Sequence, residues 1–110
     1  MNKIALGVTS SISLYKAPDL IRLFQKEDLA VRVIMTEKAA NFIRPDLFTA
    51  LSGEPAIINL FDDRQRPIEH IALAAEVSLL LIAPATANLI AKLAAGLADD
   101  FLSTFYLAVK

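Results

Sequence analysis

Hydroxyl and amide side chains stand at the ends of three apolar runs in this sequence. Thr9-Ser10-Ser11 follows the run Lys3 to Val8, Thr36 follows Ala30 to Met35, and Thr86 and Asn88 follow Leu79 to Ala83. At such a junction a Ser, Thr or Asn ordinarily accepts a free backbone N–H of the next helix. The same groups can instead turn outward. Three sets at corresponding junctions, each backed by a helix N-terminus, suit a bound anion such as a phosphate. His70 is the single histidine and follows Pro67 in the first turn of a predicted helix. The positive end of that helix disfavours imidazolium, which leaves a neutral ring able to take a proton; the alternative is a surface histidine without a chemical task. Asp99-Asp100 reads as the start of the last helix, where carboxylates are favourable. Phe42 and Phe61 read as core or interface residues, and Phe42 also as a pocket wall.

The elements that would position these groups alternate in type. The aliphatic runs Lys3 to Val8, Ala30 to Met35, Ala56 to Leu60 and Leu79 to Ala83 predict strands. Apolar residues at helical spacing from Leu14 to Phe24 predict a helix between the first two, with Pro18 delaying or kinking its start. Glu37 to Phe42 and Pro45 to Leu51 predict two more helices, the second stopped by Ser52-Gly53. Asp62 to Pro67 reads as a polar loop, and Pro67 suits the first position of the helix IEHIALAAEV. Ala87 to Leu93 and Asp99 to Val109 complete the set, split around Gly96. Strands alternating with helices predict a parallel sheet with helices on both faces, a three-layer αβα arrangement. Ligands of such a sheet bind beyond the carboxyl ends of its strands, which is where the hydroxyl-bearing loops fall.

Composition narrows the chemistry. The chain has 110 residues, 55% of them hydrophobic, so a folded core is expected rather than disorder. That apolar content is high for so short a chain and predicts a surface that meets another subunit. A net charge of −1 without a basic stripe argues against nucleic acid. The absence of cysteine removes disulfides, thiolate metal sites and a cysteine nucleophile from these residues. Clustered metal ligands are not found either. No secretion signal or membrane-spanning run is read from the sequence, so a cytoplasmic protein is expected. Neither GxGxxG nor GxxxxGK[ST] occurs, which disfavours a dinucleotide or ATP and leaves a mononucleotide such as FMN compatible.

Gly7-Val8-Thr9-Ser10-Ser11-Ile12, Met35-Thr36-Glu37, Ala50-Leu51-Ser52-Gly53, His70-Ile71 and the stretch PATANLIAKLAAGLADDFLST from Pro84 to Thr104 together resemble the flavin-dependent cysteine decarboxylases. The resemblance is nearest to the phosphopantothenoylcysteine decarboxylase domain of coenzyme A biosynthesis and covers nearly the whole chain. It implies a Rossmann-like or flavodoxin-like fold, FMN as cofactor, and a homotrimer or an assembly of trimers up to a dodecamer. The implied reaction is oxidation of the substrate's cysteinyl end by FMN, loss of CO2, and reduction of the resulting enethiol. By the same resemblance His70 matches the active-site base. Ser10, Ser11 and Ile12 match a first flavin-binding loop, Thr36, Glu37 and Lys38 a second, Thr86, Ala87, Asn88 and Leu89 a third, and Phe42 a substrate-pocket position.

The chain departs from the family pattern in two places. Ser10 and Ser11 stand where the family usually has Gly, and their Cβ atoms are expected to restrict positive φ and crowd a phosphate. The family's PxMNxxMW segment and its later cysteine are not among these residues, so residues 1–110 are expected to be an incomplete flavoprotein domain with little turnover of its own. A peptide-cysteine decarboxylase, or a non-catalytic flavin-binding or regulatory homologue, is the alternative reading. The flavin prenyltransferases share the fold but lack a histidine like His70 and the PATAN wording.

Overall fold

The computed structural model describes residues 2–58 and 69–109, with the side chains of Glu69 and His70 excepted. Strand β1 (Lys3–Val8) is followed by a 3-10 turn (Ile12–Lys16) and helix α1 (Ala17–Lys26), then β2 (Ala30–Met35), α2 (Glu37–Phe42) and α3 (Pro45–Ser52). Helix α4 (Glu69–Glu76), β3 (Leu79–Ile82), α5 (Ala87–Ala95) and α6 (Phe101–Ala108) complete the described chain. The strands form a parallel sheet in the order β2-β1-β3.

Aliphatic residues on successive positions of β1 and β2 point to opposite faces and are buried on both, as a covered parallel sheet requires. Leu6, Val8, Val31, Val33 and Met35 pack with Ala17 and Ile21 of α1 and Phe48 of α3 on one face. Ala5 and Ile34 pack with Leu73 of α4, Leu89 of α5 and Phe101, Leu102 and Phe105 of α6 on the other. The three-layer α/β architecture expected from the sequence is therefore present. Gly7 lies on the second face, where a Cβ would come within 2.8 Å of Leu102 Cδ1 and 3.2 Å of Ile82 Cγ1. Its missing side chain lets α6 lie flat on the sheet.

The helix ends follow from local chemistry. Pro18 sits in the first turn of α1 and begins that helix rather than kinking it. Gly53 and Gly96 end α3 and α5 with φ of 80° and 74°, the left-handed conformation that costs glycine least. The expected strand over 56–60 is reduced, among the described residues, to a single parallel bridge from Ile57 to Ile34. Residues 59 and 60, the polar loop 62–67, Phe61 and the role of Pro67 lie outside the described residues.

Strand register decides where the loops emerge. Val8 pairs with Met35 and Gly7 with Ile82, so the three strands end abreast and their outgoing loops share one rim.

Candidate functional site

Backbone bonds continue past the strand ends and tie these loops together. The Thr36 N–H donates to Val8 O at 3.1 Å, Ala83 N–H to Gly7 O at 3.0 Å, and Thr9 N–H to Pro84 O at 3.3 Å. The Thr36 hydroxyl then accepts Ala39 N–H, and the Thr86 hydroxyl accepts Leu89 N–H, each at 3.2 Å. Both threonines are thus helix caps. A capping hydroxyl still keeps its own hydrogen to donate outward.

Between the loops lies a cleft of about 300 Å³, lined by Ser10, Thr36, Glu37, Lys38, Thr86, Asn88, Leu89, Lys92, Asp99 and Asp100. That volume is at the lower bound for a small-molecule site. Residues of all three hydroxyl-bearing loops meet there, as the rim of a parallel sheet allows. Several expected site residues are placed elsewhere. Ser11 precedes the 3-10 turn, with its Oγ 3.1 Å from Ser13 Oγ, and does not line the cleft. Ile12 is 87% exposed and Phe42 58%; these two and Ala87 are also absent from the cleft wall. Thr9, read from the sequence as a further outward hydroxyl, is instead buried and bonded internally.

The His70 side chain lies outside the described residues. Its backbone belongs to the first turn of α4. The far end of that helix is fixed at the amino end of β1, where Glu76 lies 3.5 Å from Lys3 and Ser78 N–H donates to Lys3 O.

The sequence reading missed Lys92 and gave Asp99 only a helix-starting role. Lys92 Nζ lies 3.2 Å from Asp99 Oδ1, across the turn that Gly96 makes. Asp100 does start α6: its Oδ1 accepts Ser103 N–H at 2.8 Å, and Asp100 N–H donates to Ser103 Oγ at 3.2 Å. This reciprocal cap leaves the Asp99 carboxylate, not that of Asp100, facing Lys92. A lysine in the last turn before a glycine, with an acid three residues beyond it, was the available signal.

Ser10 and Ser11 do not have the conformation feared from the sequence. Among the described residues the only non-glycine with positive φ is Asp28, and Ser11 has φ −78° and ψ 152°. The first loop therefore turns without needing glycine at either position. The donor set on the cleft wall, hydroxyls, the Asn88 amide and the ammonium groups of Lys38 and Lys92, suits a polar, phosphate-bearing ligand. The carboxylates of Glu37, Asp99 and Asp100 on the same wall make such a ligand depend on those cations.

Residues 1–110 match the protein family described as Flavoprotein, and the chain belongs to that family. The coenzyme A biosynthesis bifunctional protein CoaBC of Escherichia coli (strain K12) is 45% identical over 107 residues, 96% of this chain and 26% of that protein. The protein of the same name from Mycobacterium bovis is 39% identical over 108 residues, covering 98% of this chain and 26% of that one. The chain spans about a quarter of the length of these curated relatives. Among solved structures, the FMN-dependent cysteine decarboxylase SpaF has a TM-score of 0.91 at 30% identity, over 100% of this chain and 64% of that chain. The peptidyl-cysteine decarboxylase EpiD has a TM-score of 0.83 at 25% identity, over 98% of this chain and 64% of that one.

Proposed function

We propose that this chain is the FMN-binding part of a flavin-dependent cysteine decarboxylase that converts 4'-phosphopantothenoylcysteine to 4'-phosphopantetheine in coenzyme A biosynthesis. The observation that carries this reading is one cleft at which Ser10, the segment Thr36 to Lys38, and Thr86, Asn88 and Leu89 converge. Membership of the flavoprotein family and likeness to SpaF and CoaBC support it.

FMN supplies two-electron redox chemistry when bound, and the protein's share is to hold and orient it. Ser10 and Thr36 would donate hydroxyl hydrogens and Asn88 an amide to the cofactor, and Lys38 and Lys92 would offset the charge of its phosphate. Ser11, Ile12 and Ala87, which lie off the cleft wall, would shape the loops that carry Ser10 and Thr86 rather than contact the cofactor through their side chains. His70 is the base that takes a proton from the substrate's cysteinyl end, and Phe42 walls the substrate. Exposed Ile12 and Tyr15, beside the first loop, are suited to a subunit contact in a trimer, so the cofactor would lie near an interface. No helix among the described residues is long and apolar enough to cross a membrane, which suits a cytoplasmic enzyme.

The test is CO2 release from phosphopantothenoylcysteine by the FMN-loaded protein that contains this chain. Release that His70→Asn lowers by about two orders of magnitude or more, the range for a general base, is the expected result. Equal release from both proteins removes His70 from the reaction. Activity only on a peptide ending in cysteine would move the substrate to the class EpiD acts on.

A further inference from the structure

One buried, doubly bonded hydroxyl beside the cleft does not line it. Thr9 is 1% exposed. Its hydroxyl donates to Pro84 O and accepts Thr86 N–H at 3.0 Å, while its own N–H also reaches Pro84 O. Beyond the bond from Ala83 N–H to Gly7 O, the regular pairing of β1 with β3 ends and the chain turns at Pro84. The Thr9 hydroxyl takes up the interaction there: one oxygen joins the carbonyl before the turn to the amide after it. Ser10, next in sequence, and Thr86, bonded to Thr9, are both on the cleft wall.

We infer that Thr9 is a positioning residue that clamps the first loop to the third and so sets the spacing of the groups that would hold FMN. The choice of FMN as ligand rests on the proposed function; the clamp itself rests on the geometry alone. Without the hydroxyl, the part-buried Thr86 N–H loses its protein partner, and Pro84 O keeps only the longer backbone bond. Thr86 also caps α5, so its displacement would loosen the helix start that faces the ligand. Serine can make both hydroxyl bonds; valine keeps the shape and makes neither.

The test compares Thr9→Val and Thr9→Ser in the full chain, with Thr9→Ala as a second hydroxyl deletion should the valine variant fail to fold. Hydrogen exchange of the Thr86 amide, measured without ligand, should quicken about tenfold in the deletion variants, the scale of one net hydrogen bond, while the central Leu6 amide is unchanged. The FMN dissociation constant should rise about tenfold in the same variants and stay within about twofold in Thr9→Ser. Val31→Ala, a core change at the amino end of β2, opposite Ile4 and away from the cleft, provides a variant of lowered melting temperature in which FMN affinity is retained. Unchanged Thr86 exchange overturns the clamp. Unchanged FMN affinity in a folded Thr9→Val protein, or equal loss in Val31→Ala, overturns its role in positioning. If the unaltered chain takes up no FMN, the flavin reading falls, and the clamp is decided by Thr86 exchange alone.

Discussion

The two ends of the sheet use charge in opposite ways. At the amino end, Lys3 Nζ lies 2.8 Å from Glu54 Oε1 and 3.5 Å from Glu76 Oε2, so one ammonium pins β1 to the segment after α3 and to the end of α4. At the carboxyl end, Lys38, Lys92, Glu37 and Asp99 share the wall of a cleft with hydroxyls and an amide. Charges at the first end are answered by one another; at the second Lys92 is paired with Asp99, but Lys38, the hydroxyls and the Asn88 amide line a cleft that a ligand can fill. The amino end is a fastening and the carboxyl end a site, although both lie on the same strands.

Substitutions should separate the two ends. The largest effect is expected from Gly7→Val, which would drive a side chain into Leu102 and Ile82 and lift α6 with its Asp100 cap. A loss of about 1–3 kcal/mol in urea unfolding is expected, together with weaker FMN binding, since overpacking a tight core has that scale. Lys92→Gln should act on the ligand instead. FMN affinity should fall about tenfold, as for the loss of one charged contact, with only a small change in unfolding because the Asp99 carboxylate it pairs with is 58% exposed. Glu54→Gln should do the reverse: about 0.2–1 kcal/mol of stability lost and FMN titration unaltered. If Glu54→Gln weakened FMN binding as much as Lys92→Gln, the contrast between the ends would be wrong.

The smallest effect concerns pH. The Lys3 ammonium is held above its ordinary pKa of 10.5, chiefly by the hydrogen bond to Glu54. Burial works against this, and the charges of Glu54 and Glu76 add to it. A raised folded-state pKa means stability that is fully present below 10.5 and declines as pH rises through the folded value. Unfolding curves above pH 10.5 should therefore show a shallow loss that Glu54→Gln flattens.

Where the sequence was informative, the reason was local. β1 and β2 carry continuous aliphatic runs with no competing helical period, and both strands occupy the residues expected of them. Gly53 and Gly96 ended helices where glycine alone turns cheaply. Thr36 and Thr86 were legible as residues of strand-to-helix junctions, but whether a hydroxyl caps, faces a ligand or does both depends on neighbours three residues on and on the cleft beyond. The strand expected over 56–60 was harder, because a short apolar run does not reveal how much of it finds a partner. Thr9 was misread for a deeper reason. Its partners are 75 and 77 residues away, and only the register of β1 against β3 brings Pro84 beside it. The Lys92–Asp99 pair likewise needed the turn at Gly96 before two distant-looking charges became neighbours.

The central claim is that one rim of this sheet cradles FMN, and residue-by-residue amide NMR during FMN titration tests it most directly. The account predicts saturable shifts confined to the segments around Ser10, Thr36 to Lys38 and Thr86 to Lys92, with the Lys3, Glu54 and Glu76 amides unmoved. Saturable shifts centred on the amino end, or FMN added to excess with no rim amide moving, would contradict it.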